Sequence, residues 1–70
     1  LDKGIVAIGE VGLTGETRSV SFLEARIAEA EKMGFSICLI PAVNAKKLRK
    51  FEHIQLVPIS HIKDAINKFL

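Results

Sequence analysis

Gly9-Glu10-Val11-Gly12-Leu13-Thr14-Gly15-Glu16 sets three glycines three residues apart, between an apolar strand-like run and the start of a helix. Glycine inside a strand loses contacts and conformational entropy, so this spacing marks backbone positions that need positive φ or close approach to another segment. Ile5-Val6-Ala7-Ile8 before it is short, apolar and rich in β-branched residues, and Thr17 to Val20 follow it. Together they predict a β-hairpin that turns around Gly12 to Gly15.

The remaining elements follow from period and punctuation. Ser21 and Glu24 make the S-x-x-E pattern of a capping box, in which each side chain satisfies the other residue's backbone donor, so a helix starts there. Leu23, Ile27 and Ala30 fall on one helical face, Arg26, Glu29 and Lys32 elsewhere, and Gly34 is a left-handed stop. Ser36 to Ile40 is a continuous apolar run ended by Pro41, which reads as a buried strand. Asn44 is the expected cap of a short helix with Ala45 and Leu48 inward and Lys46, Lys47, Arg49 and Lys50 elsewhere. Gln55 to Ile59 predicts another strand, with Pro58 at an edge or near its end. Ser60 then caps a last helix in which Ile62, Ala65, Ile66 and Phe69 repeat at i, i+3, i+4 and i+7. The order is a β-hairpin followed by α-β-α-β-α, which predicts an α/β fold: a two-layer arrangement with parallel strand pairing and amphipathic helices packed on the sheet.

Seventy residues, 49% hydrophobic and 26% charged, make one domain at most. A chain of this size buries only ~60% of the surface its unfolded form exposes, so its stability is expected to be marginal. No apolar run approaches the ~20 residues of a membrane-spanning helix, and no signal peptide is recognisable. Leu1 at the start is expected of a fragment. Cys38 lies in the apolar run Ile37-Cys38-Leu39-Ile40 and reads as a buried hydrophobe, not a reactive thiol. One Cys with His53 and His61 matches no zinc-ligand spacing, so no metal site is expected. Residues 1 to 35 carry four basic and six acidic groups, whereas residues 36 to 70 carry six basic and two acidic, which points the second half toward an anionic partner.

Gly9 to Glu16, Arg18 two residues on, Arg26 in the following helix, Glu29-Ala30 and the ending at Gly34-Phe35 resemble the C-terminal Lon-protease-like domain of RadA (Sms) DNA repair proteins. The resemblance runs from about Gly4 to Leu70. Ile40-Pro41 with Asn44 is shared more loosely with Lon proteases and ComM-type ATPases. It implies that residues 1–70 are a single partial domain, the C-terminal half of a Lon-like fold, α+β in the sense used for that group. In Lon proteases a neutral lysine deprotonates a serine. The aligned position of that lysine here is Glu24, which supplies no amine, and the serine-bearing half would precede Leu1, so no protease activity and no catalytic residues are expected. The ATPase and zinc-binding parts of RadA-type proteins are also outside this chain: no G-x-x-x-x-G-K-[ST] loop is present, and G-x-x-G-x-x-G does not match the dinucleotide fingerprint. The resemblance therefore implies a noncatalytic scaffold that supports ring assembly and contributes DNA contacts, within a DNA repair and recombination ATPase of the cytoplasm.

The residues themselves keep several readings open. Lys46, Lys47, Arg49 and Lys50 are the candidate DNA-binding group, each neutralised phosphate adding a salt-dependent, sequence-independent increment of affinity; the alternative is a solvated helix face. No Tyr or Trp accompanies them for stacking, and Phe51 is expected in the core. Arg18, Arg26, Gly12 and Gly15 are the candidate interface or structural residues, with Arg18 able to pair with Glu16 or Glu24 or to reach a neighbouring subunit. Ser21 and Ser60 are expected as caps, His53 as a loop residue and His61 as a first-turn residue. The run from Ile5 to Ile8 suggests an exposed edge strand, so a homo-oligomer is expected. DNA is the other expected partner; no cofactor, membrane or small-molecule substrate is indicated. The rival readings are the C-terminal half of a Lon-type protease or ComM-like ATPase domain, and a self-associating module with no nucleic-acid role.

Overall fold

The computed structural model describes residues 4–69; residues 1–3 and 70, the two ends of the expected 1–70 domain, lie outside them. In chain order the elements are β1 (Ile5–Ala7), β2 (Glu10–Val11), β3 (Thr17–Arg18), α1 (Leu23–Lys32), β4 (Ile37–Pro41), α2 (Ala42–Ala45), β5 (Gln55–Ile59) and α3 (Ile62–Phe69). Strands β1, β4 and β5 form a three-stranded sheet in the order β1-β4-β5, and β2 with β3 forms a separate two-stranded sheet. Both pairings of the larger sheet are parallel, with Val6 opposite Cys38 and Leu39 opposite Val57. The α/β class expected from the alternation of strands and helices is the one observed.

The centre of the sheet is β4, whose residues Cys38 to Pro41 are all buried. A strand covered on both faces reads as a continuous apolar run because neither set of alternating side chains meets water. Cys38 and Ile40 pack with Leu23, Ile27 and Ala30 of α1 and with Ile54, and Val6, Ile8 and Leu56 flank this cluster. On the other face Leu39 packs with Val57 and Ile59, against Ala65 and Phe69 of α3. Helices therefore lie on both faces, so α3 adds a layer to the two expected. Ile27 is 0% exposed, and full burial of such a side chain contributes about 1.5–3 kcal/mol.

Four local expectations are corrected. First, Ile5 to Ile8 is not an arm of the hairpin. Ile5–Ala7 pairs with β4, and the Ile8 N–H continues that ladder to the Leu39 carbonyl at 3.0 Å. Parallel pairing carries Val6 and Ile8 into the α1 core, whereas an arm of the small hairpin would leave them in water. The hairpin arms are Glu10–Val11 and Thr17–Arg18 alone, with the turn at Gly12 to Gly15 as expected.

Second, Ser21 and Glu24 form no capping box. The residue preceding the helix is Phe22, at φ 58° and ψ 33°, with no side-chain cap. The Glu24 carboxylate accepts instead from the Arg49 N–H at 3.0 Å. Third, Asn44 does not cap a helix bearing the basic residues. Its amide is taken by the Val20 backbone, accepting from Val20 N–H at 3.2 Å and donating to Val20 C=O at 3.5 Å. The helix begins earlier, after Pro41, and ends at Ala45 in i→i+3 bonds from Lys47 to Asn44 and Leu48 to Ala45. Fourth, α3 is capped by its neighbours and not by the Ser60 hydroxyl. Asp64 accepts the N–H groups of Ser60 and His61, both at 3.1 Å, and His61 Nδ1 accepts the Lys63 N–H at 3.1 Å. The Gly34 stop is found as expected, at φ 97°.

Cys38 is 0% exposed, as its apolar surroundings predict. Burial penalises the thiolate and pushes its pKa from 9.0 up to about 11. The folded state therefore holds the thiol proton where the unfolded chain would release it, and stability present below pH 9.0 is lost as pH rises toward about 11. Urea unfolding midpoints should fall across that window, and Cys38→Ala should flatten the fall; an unchanged slope in the variant would assign it to other groups.

Candidate functional site

The basic cluster occupies the segment that leaves α2. Lys46 follows directly after the helix, Lys47 lies in the closing turn, and Arg49 and Lys50 lie in the extended stretch before Phe51; all four are exposed. Backbone that has left the helix spreads the four charges along a loop, so they do not share the helical face that the sequence suggested. Lys46, Lys47 and Lys50 make no ion pair among the described residues. Arg49 is held more closely: its guanidinium lies 3.9 Å from the Phe51 ring centroid, and Nη1 donates to the Lys50 carbonyl at 3.1 Å. This stack contributes about 0.5–1 kcal/mol at an exposed site and covers one face of the half-buried Phe51. The loop is fastened to α1 through Glu24, and nothing local signals that bond because its partners lie 25 residues apart.

The glycine-spaced segment is fastened to the junction between β5 and α3. Gly15 donates to Gly12 C=O at 3.1 Å and Gly12 N–H to Glu16 C=O at 2.8 Å, closing a three-residue loop with Gly15 left-handed at φ 92°. This is a turn followed by a glycine bulge, a common hairpin connection. From there Gly15 C=O accepts the Ile62 N–H at 2.8 Å, and Thr17 N–H donates to Ser60 C=O at 2.9 Å. Thr17 Oγ1 donates to Ile59 C=O at 2.8 Å. His61 Nε2 lies 2.7 Å from Thr14 C=O. That carbonyl needs a donor and the Lys63 N–H needs a lone pair at Nδ1, so the network assigns the neutral Nε2–H tautomer. His61, expected in the first turn of the last helix, lies instead one residue before α3, bridged to Glu16, with both ring nitrogens engaged.

Arg18 sits opposite Glu10 across the small sheet, and it forms no ion pair with Glu16 or Glu24 among the described residues. The Glu16 carboxylate accepts instead from the Thr14 hydroxyl at 2.7 and 3.0 Å. That hydrogen bond is the main cause holding it below the usual carboxylate range, with the Arg18 charge a minor one. Arg26 is exposed on α1, and His53 is a surface residue beside Glu52. Gly12 has ordinary φ, and a Cβ there would meet only the Glu16 carboxylate, whereas a Cβ at Gly15 would overlap the His61 ring. Among the described residues no side-chain hydrogen bond or ion pair joins Arg18, Arg26 and the basic loop. An apolar cleft of about 100 Å³ lies where Val11, Pro41, Ile59 and Ile62 meet. Of its lining, Val11 and Ile62 remain exposed, and Leu13 in the hairpin turn and Ile66 on α3 are exposed as well, Leu13 completely. No three His, Cys, Asp or Glu side chains among the described residues are placed to hold a metal ion, and no described helix is long and apolar enough to cross a membrane.

These features define a small parallel α/β module with a basic loop on one side and uncovered apolar side chains around its hairpin. Its sequence is homologous to a short segment of DNA repair protein RadA. The identity is 43% over 63 residues with the Bacillus subtilis protein, covering 90% of this chain and 14% of that one. With Aquifex aeolicus RadA it is 43% over 65 residues, 91% of this chain and 14% of the relative. With Escherichia coli RadA it is 39% over 69 residues, 99% of this chain and 15% of the relative. The chain spans about one-seventh of the length of the curated relatives it matches. It matches no family model.

Gly15 is the glycine whose replacement the site resists twice, through its left-handed φ and through the His61 ring. Gly15→Ala should lower stability by about 1–2 kcal/mol from the backbone alone, measured by urea unfolding. Adding His61→Ala should recover only the steric part of any larger loss; full recovery would show that φ imposes no cost.

Proposed function

We propose that this chain is a noncatalytic scaffold segment of a RadA-type DNA repair and recombination ATPase, supporting assembly of copies and contributing duplex DNA contacts through its basic loop. The observation that carries the DNA part is the set of exposed lysines, Lys46, Lys47 and Lys50, which make no ion pair among the described residues. Unpaired cations on a loop neutralise phosphates without first breaking a protein contact. Arg49 adds its charge while remaining stacked on Phe51.

The noncatalytic part rests on Glu24. In the Lon-like resemblance this position carries the lysine base, whereas here a carboxylate accepts the Arg49 N–H. The residue that would do chemistry joins the basic loop to α1 instead. ATP binding and hydrolysis belong in this proposal to other parts of the parent protein, in the cytoplasm, and the chain itself takes no cofactor, small-molecule substrate or membrane. The assembly part is supported by the open outer edge of β1 and by Val11, Leu13, Ile62 and Ile66, since apolar surface of this kind favours a second copy over water.

Retention on immobilised duplex DNA should fall steeply with salt, by about 40-fold between 50 and 200 mM for three neutralised phosphates. Lys46→Glu with Lys47→Glu should abolish it; undiminished binding in that variant would remove the loop from the interface. Light scattering should report a mass above the monomer as concentration rises, and Leu13→Asp with Ile66→Asp should return it to the monomer. A parent chain that stays monomeric throughout would overturn the assembly role.

A further inference from the structure

Phe22 is the one exposed phenylalanine of the four, with 82% of its surface in water. The chain has no Tyr or Trp, so among the described residues this is the one exposed phenyl ring, the other exposed aromatic side chain being the His53 imidazole beside Glu52. Its backbone is also unusual: at φ 58° it is the only described residue other than glycine with positive φ. A bulky L-residue adopts that conformation against steric repulsion from its own Cβ, which Gly would avoid and Asn would tolerate better. Burial of the ring does not offset this repulsion, because the ring is not buried. The Phe22 carbonyl accepts the Arg26 N–H at 3.2 Å where α1 begins, which gives the backbone a role in folding but leaves an exposed phenyl ring at a left-handed position unexplained.

Its neighbours along the chain are bonded to α2 and the basic loop. Two residues before Phe22, Val20 is bonded in both directions to Asn44 of α2. Two residues after it, Glu24 accepts the Arg49 N–H. Phe22 is thus bracketed by bonds to Asn44 and Arg49, which lie on either side of Lys46 and Lys47. The carboxylates near this segment are Glu24, already engaged by Arg49, and Glu52, which lies beside His53. Phe51 offers no competing platform, since Arg49 covers its face.

We infer that Phe22 is a base-stacking platform and that the loop beside it takes DNA with unpaired bases in preference to an intact duplex. Every base has a π-face, and stacking on an aromatic side chain adds sequence-tolerant affinity to phosphate neutralisation. In a duplex those faces are covered by neighbouring base pairs, so Phe22 contributes only where a base is free. Cationic side chains around a lone exposed ring complement an anionic strand and oppose a purely apolar partner. This inference rests on the proposed DNA contacts of Lys46, Lys47 and Lys50.

The test is fluorescence anisotropy with a labelled oligothymidylate and a labelled duplex of equal length at low salt. Phe22→Leu should weaken binding of the single strand by about ten-fold, within the range known for loss of one stacked base, and leave the duplex unchanged. Phe22→Trp should bind the single strand at least as tightly as the parent. Phe22→Asn should lose single-strand affinity like Phe22→Leu while melting no lower than the parent, a combination that a structural role for the ring would not give. Lys46→Glu with Lys47→Glu should weaken both ligands. Equal losses on the two ligands in Phe22→Leu, no loss on either, or a change confined to the light-scattering mass of the DNA-free chain would each overturn the stacking role while leaving the DNA contacts standing. A parent chain that binds neither ligand would overturn the DNA contacts themselves.

Discussion

Strand β4 must be paired along both edges and covered on both faces, and that requirement organises the chain. A backbone lined by Cys38, Leu39, Ile40 and Pro41 has no side that tolerates water, so its amide groups need partners in the sheet and its side chains need two layers. β1 and β5 meet the first need, α1 and α3 the second. Parallel pairing then demands crossovers. The one from β1 to β4 is long enough to contain both the small hairpin and α1, and the hairpin sits on the surface with Val11 and Leu13 exposed.

What keeps that hairpin in place is polar. Its backbone and Thr17 hydroxyl are bonded to the β5–α3 junction, and His61 spends both ring nitrogens there, one on Thr14 and one on capping α3. Gly15 is required because the His61 ring occupies the space a side chain would use. The glycine spacing that looks like a phosphate cradle is thus the seat of a tertiary contact. The same economy holds at the basic loop, where two residues suited to capping a helix serve as fasteners, Asn44 holding α2 to Val20 ahead of α1 and Glu24 holding the loop to α1 itself. These contacts leave the lysines without an ion pair among the described residues.

Sequence similarity to segments of RadA proteins and this arrangement of surface groups describe different aspects of the molecule. The similarity extends along nearly the whole chain but only about one-seventh of the relatives, so it speaks to ancestry. The free lysines, the stacked Arg49, the strained Phe22 and the uncovered Leu13 speak to what the surface can bind.

By itself the sequence determined the α/β class, the buried character of β4, the inward stripe Leu23, Ile27 and Ala30 of α1, the stop at Gly34, the turn at Gly12 to Gly15 and the inert Cys38. Each of these depends on period, on apolar content or on the conformational freedom of glycine, which neighbouring residues express. Only the tertiary structure decided that Ile5–Ala7 leaves the hairpin for β4, that Glu24, Asn44 and Asp64 bond to the partners they do, and that Phe22 stands in water. A capping signal states which donors a side chain can satisfy and not which it meets first, and a hydrogen bond between residues 25 positions apart leaves no trace in local pattern. Helix, strand and turn were therefore legible along the chain, while the choice among equivalent polar partners was made by packing.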